Sequence, residues 1–253
     1  MLTGTISPKF WDAKGIKKST LQNFNVGDNL LTGTLSTEVG LLTDLKGLHV
    51  FQNFFDGPFP TEVGRLRDLS YFRASDNAFS GQIPSEFGEL GIIREFWMQG
   101  NALNGTIPSE LGLMTDLNAF RISQNKIGGS IPETLFNMFF LTRFEVDSNE
   151  LTGTLSTRIG SFTSLELLRV SRNRLVGTIP TEITQLPALK LGWFHLNQMT
   201  GSMPAAVCDN VGPGLLSILQ TDCHPEGNPD IECACCTSCC DRSTKICLRI
   251  REV

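Results

Sequence analysis

The sequence is poor in the groups that catalysis, nucleic-acid binding and membrane insertion require. Histidine occurs three times and tyrosine once among 253 residues, and neither a glycine-rich phosphate loop nor a kinase signature is present, which argues against an enzyme. The formal charge of −5 and the pI near 5.3 argue against a general binder of nucleic acid or anionic membranes. No apolar run reaches the length of a membrane span, although a longer parent protein could carry one.

Cysteine is absent from the first 207 residues and abundant after them. The eight cysteines are Cys208, Cys223, Cys233, Cys235, Cys236, Cys239, Cys240 and Cys247. An even number in a short segment with little apolar material predicts a disulfide-rich C-terminal cap over residues 208–253, in an oxidising compartment. A metal site is the alternative, because Cys236 and Cys239 form a C-x-x-C pair. Zinc sites usually divide two such pairs across a longer loop, so we predict disulfides, no metal and no cofactor, with the pairing left open.

An asparagine recurs every 24 residues through most of the chain, followed four places later by glycine. These asparagines are Asn29, Asn53, Asn77, Asn101, Asn125, Asn149, Asn173 and Asn197. Eight asparagines and eight glycines at the same 24-residue period indicate stacked structural repeats. Each repeat buries one apolar stripe against its neighbours, so no single repeat is stable alone.

The residues around each asparagine predict a short strand followed by a turn. Apolar residues stand five and three places before it, as Phe120 and Ile122 do before Asn125, and this alternation predicts a strand with one buried face. We expect strands at 24–26, 48–50, 72–74 and the equivalent positions through 193–194. The asparagine amide is expected to bond open backbone groups where the strand ends. The deep positions are expected to form a continuous stack of Phe72, Phe96, Phe120, Phe144 and Leu168.

The segments after the asparagines follow the form L-x-G-x-[IL]-P, as in LNGTIP, LVGTIP and, with phenylalanine first, FSGQIP. The two copies of LTGTLS depart from it, because Ser36 and Ser156 stand where proline is expected. This form resembles the plant-type leucine-rich repeat. The resemblance implies an α/β repeat solenoid, a right-handed superhelix with a concave parallel β-sheet and a second, shorter strand in each repeat. Residues 1–207 are therefore predicted to form one solenoid with a partial first repeat and eight strands. Because the chain starts in the back half of a repeat, we expect it to be a fragment of a longer protein.

The repeats depart from their pattern at a few positions. Gly192 replaces the deep apolar residue of the last strand, and Phe136 and Thr184 replace a glycine that five other copies supply. We expect these changes to loosen two or three coils without altering the fold. The cysteine-rich tail resembles that of leucine-rich-repeat proteins of diatoms, a short match that supports secretion.

Two columns of side chains are predicted to face outward from the concave strands. The first reads Asn25, His49, Arg73, Trp97, Arg121, Glu145, Arg169 and Trp193, and the second reads Gly27, Phe51, Ser75, Gln99, Ser123, Asp147, Ser171 and His195. Asp147, Ser171 and His195 adjoin in the second column, but serine stands between the acid and the imidazole. A catalytic histidine must contact both partners, so the column is not a catalytic triad.

The first column contains residue types that dominate binding sites. Trp, Tyr and Arg are enriched at binding hot spots, and large aromatics in a concave array indicate a ligand surface. The candidate ligand-binding residues are Phe51, Tyr71, Arg73, Trp97, Arg121, Glu145, Asp147, Arg169, Trp193 and His195. The alternative is a ladder that satisfies itself, with Trp97 stacked between two arginines and Glu145 between Arg121 and Arg169. Exposed pairs of this kind contribute at most about 1 kcal/mol each.

We therefore predict a non-catalytic recognition module that binds a protein, peptide or glycan ligand on its concave face. The resemblance implies the ectodomain of a secreted or cell-surface receptor-like protein, with an extracellular location. The alternative is a structural or surface-active solenoid, such as an ice-binding or cell-wall protein. Turn pairs such as Thr32/Thr34 favour it, but Asp56/Pro58 interrupts the array. Asn104 begins a sequon with Gly105 and Thr106 and is a candidate glycosylation site.

Overall fold

Each coil of the chain contributes one short strand to a long, mainly parallel sheet. A computed structural model describes residues 1–7, 10, 20–209, 216–222, 231–241, 244 and 246–249. The strands of this concave sheet are Asn23–Asn25, Gly47–His49, Tyr71–Arg73, Glu95–Trp97, Ala119–Arg121, Arg143–Glu145, Leu167–Arg169, Leu191–Trp193, Ile218–Asp222, Ser238–Cys240 and Cys247–Arg249. The first eight come from the repeats, as predicted, but they begin one or more residues earlier than expected. The alternation identifies the buried residue of each strand and does not mark where the backbone ladder begins.

In the eight strands of the repeats, the central residue points into the core, and consecutive coils place these residues in register. Phe120 pairs in the sheet with Phe96 on one side and with Phe144 on the other. Their rings stack with centroids 5.8 Å and 5.7 Å apart. The predicted stack of Phe72, Phe96, Phe120, Phe144 and Leu168 is confirmed, since all five are fully buried. Gly192 interrupts the stack, and the Phe194 ring fills the space beside it.

A second set of strands follows the asparagines, at the turn that glycine permits. Gly105, for example, has a φ of +73°, which strains any residue with a β-carbon. Five strands form one sheet: Thr3–Thr5, Leu30–Thr34, Phe54–Pro58, Ala78–Gln82 and Ala102–Asn104. Farther along, strands pair only in twos: Gly128–Gly129 with Glu150–Leu151, Val176–Gly177 with Gln198–Met199, and Gly201–Ser202 with Ile231–Glu232.

The convex side is built from 3₁₀-helices rather than α-helices. They are Thr37–Leu41, Thr61–Arg65, Ser85–Glu89, Ser109–Leu113, Glu133–Asn137, Thr157–Ser161 and Thr181–Gln185, and a short α-helix covers Ala205–Cys208. A β-carbon on Gly88 would overlap the carbonyl oxygen of Glu110 in the next coil, so glycine is required for this close approach. Phe136 takes the equivalent place one repeat after Gly112 and is fully buried.

The asparagines form the predicted inward ladder, and Asn125 shows the pattern. Its amide nitrogen donates to the carbonyl oxygens of Met98 and Ile122, each at 3.0 Å, and its amide oxygen accepts from the backbone N–H of Leu103 at 3.0 Å. The same bond from the preceding coil's backbone N–H is accepted by Asn29, Asn53, Asn77, Asn101, Asn125, Asn149, Asn173 and Asn197. The asparagines therefore satisfy the backbone where each strand ends.

The cysteine-rich region continues the solenoid. The last three strands of the concave sheet belong to it, and the final pair is antiparallel. Asp222 of this region replaces backbone acceptors, because its carboxylate oxygens accept from the backbone N–H groups of Leu196 at 2.6 Å and Asn197 at 3.0 Å. One coil earlier, the equivalent N–H groups of Arg172 and Asn173 donate to backbone carbonyls of the next coil.

Disulfides join the cysteines of this region, as predicted. The described bonds are Cys208–Cys235, Cys233–Cys236 and Cys240–Cys247. Cys239 is also disulfide-bonded, whereas Cys223 and His224 lie outside the described residues. The imidazole of His195 lies close to the sulfurs of Cys240 and Cys247, but both sulfurs are held in a disulfide and supply no thiolate for a metal. Among the described residues, no helix is long and apolar enough to cross a membrane.

Candidate functional site

The concave strands present their first and third residues outward. In Glu95–Trp97, the central Phe96 is fully buried while Glu95 and Trp97 are half-buried on the concave surface. Because the sheet is parallel and in register, Arg73, Trp97 and Arg121 fall in one row across three coils. Residues that are 24 positions apart in the sequence thus lie side by side on the concave surface.

Trp97 is held between two arginines. The guanidinium carbon of Arg73 lies 4.4 Å from the indole ring centre, and that of Arg121 lies 4.8 Å away. Both distances fit cation–π stacking. Arg73 is fixed in turn by Glu95, whose carboxylate accepts from its Nε at 2.8 Å. The indole N–H of Trp97 is buried and has no hydrogen-bond partner among the described residues.

The row continues toward the C-terminus as an ionic ladder. Glu145 lies between Arg121, at 2.9 Å, and Arg169, at 3.3 Å, and the Arg169 guanidinium stacks 4.7 Å from the Trp193 ring centre. The Glu145 side chain is 4% exposed, so its carboxylate faces the arginines rather than solvent. Glu145 therefore positions the arginines and is not itself a contact surface.

Asp147 and His195 are also buried. Asp147 accepts a hydrogen bond from the Ser123 hydroxyl at 2.6 Å, which places its carboxylate on the opposite side from Ser171. Burial lowers the pKa of His195 to about 4, with Arg172 acting in the same direction and Asp147 in the opposite one. His195 is therefore neutral near pH 7 and cannot act as a general acid at that pH.

A depression of about 430 Å³ opens beside Trp97 at the start of the concave strands. It is lined by Tyr71, Arg94, Glu95, Trp97, Asn118, Ala119, Arg121, Thr142 and Arg143. Arg94 and Arg143 are exposed, and neither forms an ion pair with any residue that the structure describes. The depression therefore combines an aromatic wall with two unpaired positive charges.

The structure brings together only part of the predicted site. Tyr71, Trp97 and Arg121 share the depression, with Arg73 stacked behind the indole. Phe51 lies elsewhere, with its ring packed over Gly27 of the preceding coil. Arg169, Trp193 and His195 belong to coils nearer the C-terminus. The predicted residues near the depression are therefore separated from the others, and the two columns in the sequence did not show this division.

Besides Glu95, Ala119 and Arg143, which begin their strands, three lining residues were absent from the predicted site: Arg94, Asn118 and Thr142. They precede their strands, at the same place in three successive repeats, and so lie outside the alternation that defined the two columns. The recurrence of polar residues 24 positions apart, just before the strands, could have identified them. The sequon residue Asn104 is exposed at the end of its strand, on the second sheet and away from the depression.

Comparison with known proteins identifies the repeat. The family model described as Leucine Rich Repeat matches residues 164–186, and comparison with the curated proteins gives no match. The chain is similar to the plant peptide hormone receptor RGFR1 in complex with RGF2, with 30% identity and a TM-score of 0.80 over 92% of this chain and 34% of the receptor chain.

A second similar structure is the leucine-rich-repeat ectodomain of the Arabidopsis thaliana membrane receptor kinase GASSHO1/SCHENGEN3, in complex with Casparian strip integrity factor 2. It is 29% identical, with a TM-score of 0.77 over 81% of this chain and 24% of that one. A plant ice-binding protein, 24% identical with a TM-score of 0.62, shares the fold and covers 80% of this chain. The chain thus spans about a third or less of the two receptor chains. Its 24-residue period, parallel concave sheet and asparagine ladder show that it is a leucine-rich-repeat protein of plant type.

Proposed function

We propose that this chain is the ligand-recognition part of an extracellular, receptor-like protein, and that the depression beside Trp97 binds an extended peptide segment carrying a carboxylate. The observation that carries the proposal is the combination of Trp97, half-buried on the concave surface between two arginines, with the unpaired Arg94 and Arg143. An indole and a guanidinium are groups that dominate protein binding sites.

The charge of the depression supports a carboxylate-bearing ligand. Glu95 is neutralised by Arg73 and Glu145 by Arg121 and Arg169, so Arg94 and Arg143 leave the rim positively charged. A guanidinium pairs with a carboxylate through two parallel hydrogen bonds, which gives both attraction and orientation.

The comparisons support a peptide rather than another ligand class. The similar receptor RGFR1 is a plant peptide hormone receptor in complex with RGF2, and the GASSHO1/SCHENGEN3 ectodomain is in complex with Casparian strip integrity factor 2. The disulfides of the C-terminal region support an oxidising, extracellular compartment. The outward face of the second sheet offers no regular hydroxyl array, because Phe54, Asp56 and Pro58 interrupt its threonines.

The test is a selection on the full chain from a phage-displayed library of random twelve-residue peptides, with a glycan array run in parallel. We expect peptides enriched in Asp and Glu, and binding by glycans alone would contradict the proposal. Trp97→Ala is expected to weaken the selected peptides by at least about 2 kcal/mol, or roughly thirtyfold. Arg143→Gln is expected to weaken them by about tenfold, since a charge-assisted contact is lost.

Arg143→Gln is cleaner than any change at Arg121, because Arg121 neutralises the buried Glu145 and its replacement would destabilise the fold. Arg174→Gln is the matched control. Arg174 is also exposed and pairs with Glu150 in the second-sheet region, far from the depression. Selected peptides that tolerate Trp97→Ala and Arg143→Gln as well as they tolerate Arg174→Gln would place the binding site elsewhere.

A further inference from the structure

Phe139 and Phe140 are consecutive aromatic residues that the fold leaves in solvent. Their side chains are 52% and 61% exposed, just after the 3₁₀-helix Glu133–Asn137. The same two positions hold Thr115 and Asp116 in the preceding repeat, and Thr and Ser in the following one. The repeat therefore does not need aromatic residues here, and their exposure has no structural explanation in the coil itself.

Two other exposed apolar residues lie on the neighbouring coils. Leu113, in the preceding coil, is 64% exposed, and Ile92, one coil earlier, is 45% exposed. We call Ile92, Leu113, Phe139 and Phe140 the apolar flank. Adjacent coils are about 4.8 Å apart along the sheet, so the flank spans three coils. Exposed apolar groups gathered in one region mark interaction sites on soluble proteins.

The apolar flank borders the depression. Phe140 precedes Arg143 by three residues, so their Cα atoms are at most about 11 Å apart. Ile92 likewise precedes Arg94 by two residues. Because Arg94 and Arg143 line the depression, the same short segments carry the flank and the positive rim. A ligand that leaves the depression over this rim meets the aromatic pair at once.

On the basis of the proposed function, we infer that the ligand is a peptide with an apolar side chain two to four residues from a carboxylate. The carboxylate pairs with Arg94 and Arg143, and the apolar side chain packs on Phe139 and Phe140. An extended chain advances about 3.3–3.6 Å per residue, so two to four residues span about 7–14 Å, which covers the separation of at most about 11 Å between the Cα atoms of Phe140 and Arg143. The apolar flank thus determines which carboxylate-bearing peptides bind.

The charges of the rim favour this peptide over a second copy of the chain. A two-fold interface places the same patch against itself, so it would bring the arginines at 94 and 143 of one copy toward those of the other. Like charges facing each other across an interface oppose association. An acidic, apolar peptide meets no such repulsion and neutralises the rim.

The experiment replaces the aromatic pair with the residues of the following repeat, Phe139→Thr and Phe140→Ser together. Both side chains are exposed, so the thermal midpoint should stay within a degree or two of wild type. The control is Phe54→Thr, because Phe54 is 58% exposed but lies on the second sheet. The probes are the acidic twelve-residue peptides selected on the wild-type chain. We expect them to carry Leu, Phe or Trp two to four positions from Asp or Glu, and to bind the double variant at least tenfold more weakly while binding Phe54→Thr unchanged.

The outcomes separate this inference from the proposed function. Peptides that require Trp97 but bind the double variant normally would overturn the role of the apolar flank and leave the depression as the site. Peptides that lose affinity for the double variant but tolerate Trp97→Ala would overturn the depression and, with it, a ligand shared by both. A wild-type dimer in solution that the double variant converts to monomer would show that a second copy covers the flank. Absence of selected peptides would overturn both proposals.

Discussion

Replacing Asn125 with leucine tests the asparagine ladder most directly. Asn125 makes four hydrogen bonds with backbone groups: three donated to carbonyls and one accepted from the N–H of Leu103. The carbonyls of Met98 and Ile122 each keep a second partner, because they also accept from the amides of Asn101 and Asn149. The backbone N–H of Leu103 loses its described hydrogen bond, which it donates to the Asn125 amide oxygen. One buried donor is therefore left without a partner.

This count sets the expected size of the effect. A buried donor without a partner costs about 1–3 kcal/mol, so Asn125→Leu should lower the free energy of unfolding by that amount. Asn29→Leu is the matched control, since the N–H that Asn29 binds belongs to Leu2. Leu2 is exposed, and water can replace the lost bond. The control should cost less than half as much as Asn125→Leu.

The measurement is equilibrium unfolding in urea, with the two variants and wild type fitted to one slope. Amide hydrogen exchange adds a local readout, because the Leu103 amide should lose protection in Asn125→Leu and keep it in Asn29→Leu. Equal losses of stability in the two variants, or an unchanged protection of the Leu103 amide, would show that Asn125 does not satisfy this buried donor.

Three further changes test other parts of the fold. Phe120→Ala removes a fully buried ring from the stack and should cost about 3–5 kcal/mol in urea unfolding; a loss below half a kcal/mol would contradict its burial. The pKa of His195 is about 4 when folded and 6.5 ordinarily, so the unfolded chain binds the extra proton between these values. The His195 contribution to stability is full above pH 6.5 and is lost as the pH falls toward 4, so the difference in stability between wild type and His195→Gln should change only in that range. A thiol reductant should increase hydrogen exchange in Ile218–Asp222 before it affects the central coils, and simultaneous loss of protection in both would contradict a local role for the disulfides.

Much of the fold could be predicted because the same pattern of apolar residues, asparagine and glycine recurs eight times. One apolar residue, Phe120 for example, would not distinguish a strand from a helix, but its recurrence with an asparagine at a fixed distance does. The left-handed backbone of the residue before each asparagine, such as Gln124 at a φ of 56°, was not predictable in the same way. This position holds Asp, Gln, Gly, Ser, Arg and Leu in different coils, so its conformation is imposed by the turn and not by residue preference.

The site was predicted less completely than the fold. The stacking of Trp97 between two arginines followed from the column because register alone places those residues side by side. The burial of Glu145 and Asp147 could not be predicted in this way. A strand pattern shows that a side chain points outward, but it does not show how much of that side chain its neighbours cover. The apolar flank was missed because single exposed phenylalanines are ordinary in any sequence. Only the structure shows that several lie in one region beside unpaired arginines.

The asparagine ladder has a direction along the chain. Asn125 accepts from Leu103 and donates to Met98, both in the coil before it, and the same bonds run from Asn149 back to Ile127 and Ile122. Each coil is thus completed by the asparagine of the next one. During synthesis from the N-terminus, a newly formed coil stays incomplete until about one more repeat has left the ribosome. After the last of these asparagines, the Asp222 carboxylate of the cysteine-rich region accepts from the backbone N–H groups of Leu196 and Asn197. The backbone of the last repeat is therefore fully hydrogen-bonded only after this segment has been synthesised.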